Sequence, residues 1–221
     1  MLSTHRSVGQ AMLQSEQASA RNVLHLVELK INSGYNRLVN DKIDILKRLE
    51  KELHYIAATG ASVLQGYADL ASQGQLTEQE AQSAAIQWLN TTKVERESLF
   101  LMDRNGTILA HTEPYLRNSS TRGLSDYKGR ILSEAMRDDN LSPAGDSAIF
   151  AWQFSETAAP TKKMGYFLPI SNWQFTLGAV VDFEDIEAES QQKMLTIIDE
   201  LRSTLAKITI ASTGYVFLFD G

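Results

Sequence analysis

The 221-residue chain has no cysteine, which excludes disulfides, cysteine-ligated zinc, iron–sulfur clusters and thiol nucleophiles together. Proline occurs 4 times and glycine 13 times, ruling out collagenous and low-complexity chains and leaving room for long helices. A basic excess is also missing, since 21 Lys and Arg stand against 27 Asp and Glu for a formal charge of −6. Neutralising phosphates requires clustered cations, so no nucleic-acid partner is expected. No run reaches the roughly 18 consecutive apolar residues of a membrane span, and the N-terminus lacks the order of a signal peptide. These absences fit a cytosolic protein or a soluble piece of a larger chain. The closing run Ala211-Ser-Thr-Gly-Tyr-Val-Phe-Leu-Phe-Asp-Gly221 favours the second, because it reads as a strand ending at a turn signal with no return strand.

What is present, 43% hydrophobic and 22% charged residues, is globular composition. Apolar residues recur at steps of three, four or seven from Leu24 to Ile56, through Val27, Ile31, Tyr35, Leu38, Ile45, Leu49 and Leu53, predicting a long amphipathic helix. The pattern continues to Ala71, with a bend expected at Gly60 and a stop at Gly74. Thr77-Glu-Gln-Glu80 reads as a capping box opening a helix to about Asn90. From Glu97 the period becomes two. Strands are expected at Ser98–Asp103 and Thr107–His111, joined by the turn Arg104-Asn105-Gly106, and then at Ala148–Phe154, Lys162–Pro169 and Trp173–Val181. Between them lies a polar stretch, 112–147, with a short helix at about Gly129–Arg137. It is long for a loop and therefore expected to be functional. A last helix starts at Phe183 and carries Met194, Ile197, Ile198, Leu201, Leu205 and Ile208. The fold class is α+β, a five-stranded antiparallel sheet with a long helix packed on it. The expected division is a helical lead-in at 1–23, the long helix and bridge at 24–95, the sheet module at 96–183 and a connector helix at 184–210. Gly214-Tyr-Val-Phe-Leu-Phe-Asp-Gly221 echoes Glu97-Ser-Leu-Phe-Leu-Met-Asp-Arg104, so 211–221 is read as the first strand of a second, truncated module.

Catalytic motifs are missing. His5, His25, His54 and His111 lie far apart without metal-ligand spacing, and there is no Gly-x-Ser-x-Gly elbow, Walker A loop or Gly-x-Gly-x-x-Gly. Neither enzyme activity, a cofactor nor a metal is expected. The acidic pairs Asp138-Asp139 and Glu184-Asp185 read as solvated or as favouring a helix dipole. The sheet is more informative. Alternation places Phe150, Trp152 and Phe154 on one face of their strand, and puts a single cation, Lys163, among apolar strand residues near Tyr166. With His111, and with Asp126 to Lys128 in the long loop, these side chains form a candidate binding set for a small carboxylate, which such donors and apolar walls would hold. Phe100 completes the set. Each also has a plain structural reading: Trp152, Tyr166 and Trp173 as core, His111 as a satisfied histidine, and Lys163 as a solvated strand end.

The ordered motifs Leu64-Gln-Gly-Tyr67, Gly74-Gln-Leu-Thr-Glu-Gln-Glu-Ala81, Leu99-Phe-Leu-Met-Asp-Arg-Asn-Gly-Thr-Ile-Leu-Ala-His111, Gly123-Leu-Ser-Asp126, Lys163-Met-Gly-Tyr166 and Asn172-Trp-Gln-Phe-Thr-Leu-Gly-Ala-Val-Val-Asp-Phe-Glu-Asp-Ile186 together resemble the Cache sensor domains of long-helix, Cache-2 type. The resemblance runs from about residue 24 to the end. It departs after His111, where Thr112 and Glu113 stand in place of an immediate proline, and in a shorter loop after Gly123. It implies a PAS-like sheet in the periplasmic or extracellular part of an inner-membrane chemoreceptor, histidine kinase or cyclic-dinucleotide enzyme. The membrane tether would lie elsewhere in that protein, a small organic acid would be the ligand, and the protein would belong to the tandem Cache kind. The alternative expectation is a module without a small ligand, in which the Leu24–Ile56 helix forms a homodimer or binds a partner protein.

Overall fold

A computed structural model describes residues 2–154, 157–205, 209–210 and 214–215. The elements in chain order are α1 (Leu2–Ser72), α2 (Glu78–Thr91), β1 (Glu97–Met102), β2 (Ile108–His111), α3 (Leu132–Ala135), β3 (Asp146–Trp152), β4 (Thr161–Ile170), β5 (Phe175–Asp182), α4 (Glu184–Leu205), β6 (Thr209–Ile210) and β7 (Gly214–Tyr215). They divide into two compact units, one spanning Ile45–Glu187 and one made of residues 1–44 and 188–221.

The Ile45–Glu187 unit is built on an antiparallel sheet of order β2-β1-β5-β4-β3, confirming the α+β expectation. Period-two alternation sorts its side chains by kind. Leu99 and Leu101 of β1, Met164 and Leu168 of β4, and Leu177, Ala179 and Val181 of β5 join a largely aliphatic core with Leu49, Leu53, Ala57, Leu64 and Ala68 of α1 and Ala81, Ala85 and Leu89 of α2. The α1 positions recur at steps of four or seven residues, so one stripe of the helix is buried. The opposite face carries Phe100, Phe150, Trp152 and Phe167, covered by Leu116, Leu132 and Met136 of the long loop. Each fully buried large side chain stabilises the fold by about 1.5–3 kcal/mol relative to exposure, so both layers are needed.

The loop also closes both sheet edges. At β2, the amide of Asn118 donates to the carbonyl of Ile108 at 2.8 Å and the amide of Ile108 to the carbonyl of Ser119 at 2.9 Å. At β3, Tyr127 donates to the carbonyl of Ile149 at 2.9 Å, and Asp126 bridges Phe150. Backbone that would otherwise be open for pairing is thereby satisfied. The capping box forms as expected, with Thr77 and Glu80 bonding reciprocally.

Several boundaries differ from the sequence reading. Residues 2–23 are helical and continuous with the rest of α1, which runs unbroken from Leu2 to Ser72. It runs without a break through Gly60, where an added Cβ would lie 3.0 Å from Leu177 Cδ2. Close approach of helix to sheet, rather than a bend, is what this glycine eases. α3 is a single turn, and Trp173 packs into the aliphatic core from the β4–β5 turn instead of opening β5.

In the second unit, Ile197 and Leu201 of α4 lie against Gly34 of α1, and Arg37 Nη1 is 3.3 Å from Glu200 Oε2. Thr209 and Tyr215 pair across the short β6–β7 sheet. The expected extension of α4 to Ile208 and the strand beyond Tyr215 lie outside the described residues.

On the aromatic face, an added Cβ at Gly178 would fall 2.4 Å from the ring of Phe100. Gly178→Ala is expected to destabilise the protein by about 1–3 kcal/mol through overpacking, read as a lower urea midpoint. Adding Phe100→Leu should recover part of the loss.

Candidate functional site

The aromatic face ends at a group of polar side chains supplied by three strands, β2, β4 and β5. β2 places His111 opposite Phe100 of β1. The imidazole is fully buried, with ring centroids of Phe154 at 5.2 Å, Trp152 at 5.9 Å and Phe100 at 6.3 Å. Its backbone is held firmly: the His111 amide donates to Asn90 Oδ1 at 3.0 Å, and Arg117 Nε donates to the His111 carbonyl at 2.8 Å.

Nδ1 of His111 accepts the Glu113 amide at 2.9 Å. A nitrogen that accepts an N–H carries no proton itself, so in the neutral ring the hydrogen is on Nε2. That Nε2 is buried with no hydrogen-bond partner among the described residues. Burial, reinforced by the nearby Arg117 charge, pushes the pKa down to about 4. At neutral pH the ring therefore presents an uncharged donor with no acceptor. Such groups are rare, because leaving one unsatisfied costs about 1–3 kcal/mol.

From β4, Lys163 approaches the same phenyl ring, that of Phe154. Its register partners are Phe150 of β3 and Asp182 of β5. The side chain is 7% exposed, with Nζ 2.5 Å from Asp182 Oδ2 and 4.3 Å from the centroid of Phe154. Phe154 thus touches both His111 and Lys163. Asp182 also accepts the Glu184 amide at 3.0 Å and the Thr161 hydroxyl at 3.4 Å. Burial alone would raise the Asp182 carboxyl, but the Lys163 hydrogen bond and the other donors hold it below the ordinary range.

The structure therefore brings together Phe100, His111, Trp152 and Lys163 from the sequence-derived set and separates the remainder. Asp126 is buried but already committed: it accepts from the amides of Lys128 and Arg130 and from Arg130 Nε. Arg130 continues to Asp146 Oδ2 at 2.7 Å, so this network fastens the loop to the β3 edge. The Lys128 side chain is exposed. Tyr166 is three positions from Lys163 along β4 and consequently faces the helices. Its hydroxyl donates to the Ala144 carbonyl at 2.7 Å and its ring lies 5.0 Å from His54. Sequence reasoning missed Asp182 as a site residue and used Phe154 only as part of a strand face. An Asp shortly before a helix is a visible capping signal, but its pairing with Lys163 depends on sheet order. Among the described residues no group of three or more His, Asp or Glu is placed to hold a metal ion, and no helix is long and apolar enough to cross a membrane.

Comparison with known proteins agrees with this architecture. The family model described as "Cache domain" matches residues 4–221. Methyl-accepting chemotaxis protein McpP of Pseudomonas putida is 21% identical over 157 residues, 68% of this chain and 28% of that protein. The matched region is thus a little over a quarter of the curated relative. A solved Cache chemosensory domain, described in terms of carboxylic acid recognition, superposes with a TM-score of 0.55 at 19% identity over 63% of this chain and 96% of that one. A methyl-accepting chemotaxis protein from Vibrio parahaemolyticus gives 0.56 at 22% identity over 68% and 99%. At such identities the likeness shows the fold.

The buried histidine has a pH signature. Because its folded pKa is below the unfolded value of about 6.5, the unfolded chain binds the proton more readily between about 6.5 and 4. The stability linked to His111 is fully present above about pH 6.5 and is lost as pH falls toward 4, at up to about 1.4 kcal/mol per unit. Urea midpoints of the parent chain should fall relative to those of His111→Phe across that window. Parallel curves would contradict the assignment.

Proposed function

The chain belongs to the Cache sensor-domain family, and from that premise we propose that it is the ligand-sensing part of a bacterial transmembrane receptor, lying on the periplasmic or extracellular side of the inner membrane and binding a small organic acid. The observation that carries this reading is the buried, partnerless Nε2 donor of His111. A carboxylate oxygen would satisfy it, Lys163 would supply charge, and Phe100, Trp152 and Phe154 would form apolar walls admitting only a short aliphatic part. Fixed donors in a dry site discriminate strongly, because a ligand without the matching oxygen leaves the donor unpaired. A solved Cache domain described in terms of carboxylic acid recognition supports the same class of ligand.

The site is built for binding rather than turnover. His111 is a poor general base, since Nδ1 is occupied by a backbone amide and Nε2 holds its proton. Output would pass through α4, which begins directly after β5, as a small shift of an existing equilibrium. The division into a sheet module, connector and truncated second module remains part of this proposal.

A second reading is favoured by one feature of α1. Leu24, Ile31 and Tyr35, seven and four residues apart, are 61%, 40% and 66% exposed. An apolar stripe of this kind suits a homodimer or a partner helix. It is compatible with sensing, but if it were the whole function the sheet would bind nothing.

A thermal-shift panel of acetate, propionate, pyruvate and lactate separates the readings. A ligand at a hundred times its dissociation constant should stabilise the fold by about 2.7 kcal/mol. His111→Phe, which keeps a ring in the cluster and removes the donor, should abolish the response. A flat panel, or a response unchanged in that variant, would contradict the proposed site.

A further inference from the structure

The Lys163–Asp182 pair carries a consequence for how the site is regulated, one that rests on the carboxylate reading. We propose that Asp182 is a built-in competitor for the ligand: its carboxylate occupies Lys163 in the empty protein, and an incoming carboxylate displaces it, releasing its hold on the first turn of α4.

Three observations converge on this exchange. Lys163 is buried, and the carboxylate seated on it belongs to the protein itself. That carboxylate is chemically the same group as the expected ligand, so both compete for one ammonium with similar strength. The His111 donor, which shares the Phe154 contact with Lys163, has in contrast no acceptor among the described residues. A ligand therefore gains the unclaimed histidine bond in addition to whatever it takes from Asp182. This asymmetry lets it win an exchange that would otherwise be nearly even.

The position of Asp182 gives the exchange an output. It is the last residue of β5, and the two oxygens of its carboxylate do different work: Oδ2 faces Lys163, while Oδ1 accepts the amide of Glu184, the first residue of α4. Capping an orphan amide at a helix start stabilises the first turn. Turning the carboxylate away from Lys163 cannot leave that bond in place unless the first turn of α4 follows. A ligand that never touches α4 would thus alter how the helix begins. Asp182 acts here as a positioning residue, through Lys163 and Glu184, without touching the ligand.

The test is titration calorimetry of acetate and propionate against the full chain and Asp182→Asn. Asparagine keeps an oxygen for the Glu184 amide but cannot neutralise Lys163. With the competitor removed, apparent affinity should rise about tenfold, as when a binding-competent state goes from a tenth populated to fully populated. Equal or weaker binding by Asp182→Asn, while His111→Phe abolishes binding, would overturn the competitor role and leave the carboxylate site standing. No binding by the parent chain would remove both. Should Asp182→Asn fail to fold, the unaltered chain still decides: saturating propionate should speed hydrogen exchange of the Glu184 amide several-fold over equimolar chloride. Unchanged exchange would overturn the proposal.

Discussion

The organisation of the Ile45–Glu187 unit depends on one constraint, that its five-stranded sheet is buried on both faces and must be covered twice. α1 and α2 cover one face with close-packed aliphatic side chains, and the 112–145 loop covers the other by laying Leu116, Leu132 and Met136 over aromatic rings. The loop is held at both sheet edges by backbone pairing and at β3 by the Asp126–Arg130–Asp146 chain of hydrogen bonds. A segment with little regular structure thereby becomes a fixed roof.

Beneath that roof polar groups carry an energetic cost. An ion pair such as Lys163–Asp182, with its lysine buried and its aspartate partly exposed, recovers at best roughly what its desolvation costs, so it is weak evidence for a stabilising role. The partnerless donor of His111 is worse than neutral. Aliphatic residues at the same positions would have given a more stable core at no cost in topology. A stability penalty of this kind is what a binding site entails.

Much of this was legible in the sequence. The switch from helical to period-two spacing at Glu97, the Thr77–Glu80 capping box and the Asn105-Gly106 turn are local features with local causes, and all appear in the structure. Phe100, His111, Trp152 and Lys163 were identified because aromatic and charged residues on apolar strands stand out in an alternating pattern. Tyr166 was grouped with them by proximity in sequence, although a three-residue offset on a strand reverses the face. Asp126 resembled a free carboxylate because Arg130 gives no sign of its target until the loop folds. Asp182 was overlooked because its partner lies nineteen residues back across a strand pairing, which sheet order sets and single-sequence periodicity does not reveal. Gly60 illustrates the same limit, since helix-to-sheet spacing and not chain direction explains it.

The central claim is that His111 Nε2–H is a ligand donor. Nitrogen-15 NMR of the imidazole, with and without saturating acetate or propionate at pH 7, tests it directly. The ring should be neutral and protonated on Nε2 in both states, with the Nε2 proton moving downfield as it gains a carboxylate acceptor. An Nε2 signal unmoved by a ligand that calorimetry shows to be bound, or a proton found on Nδ1, would contradict it.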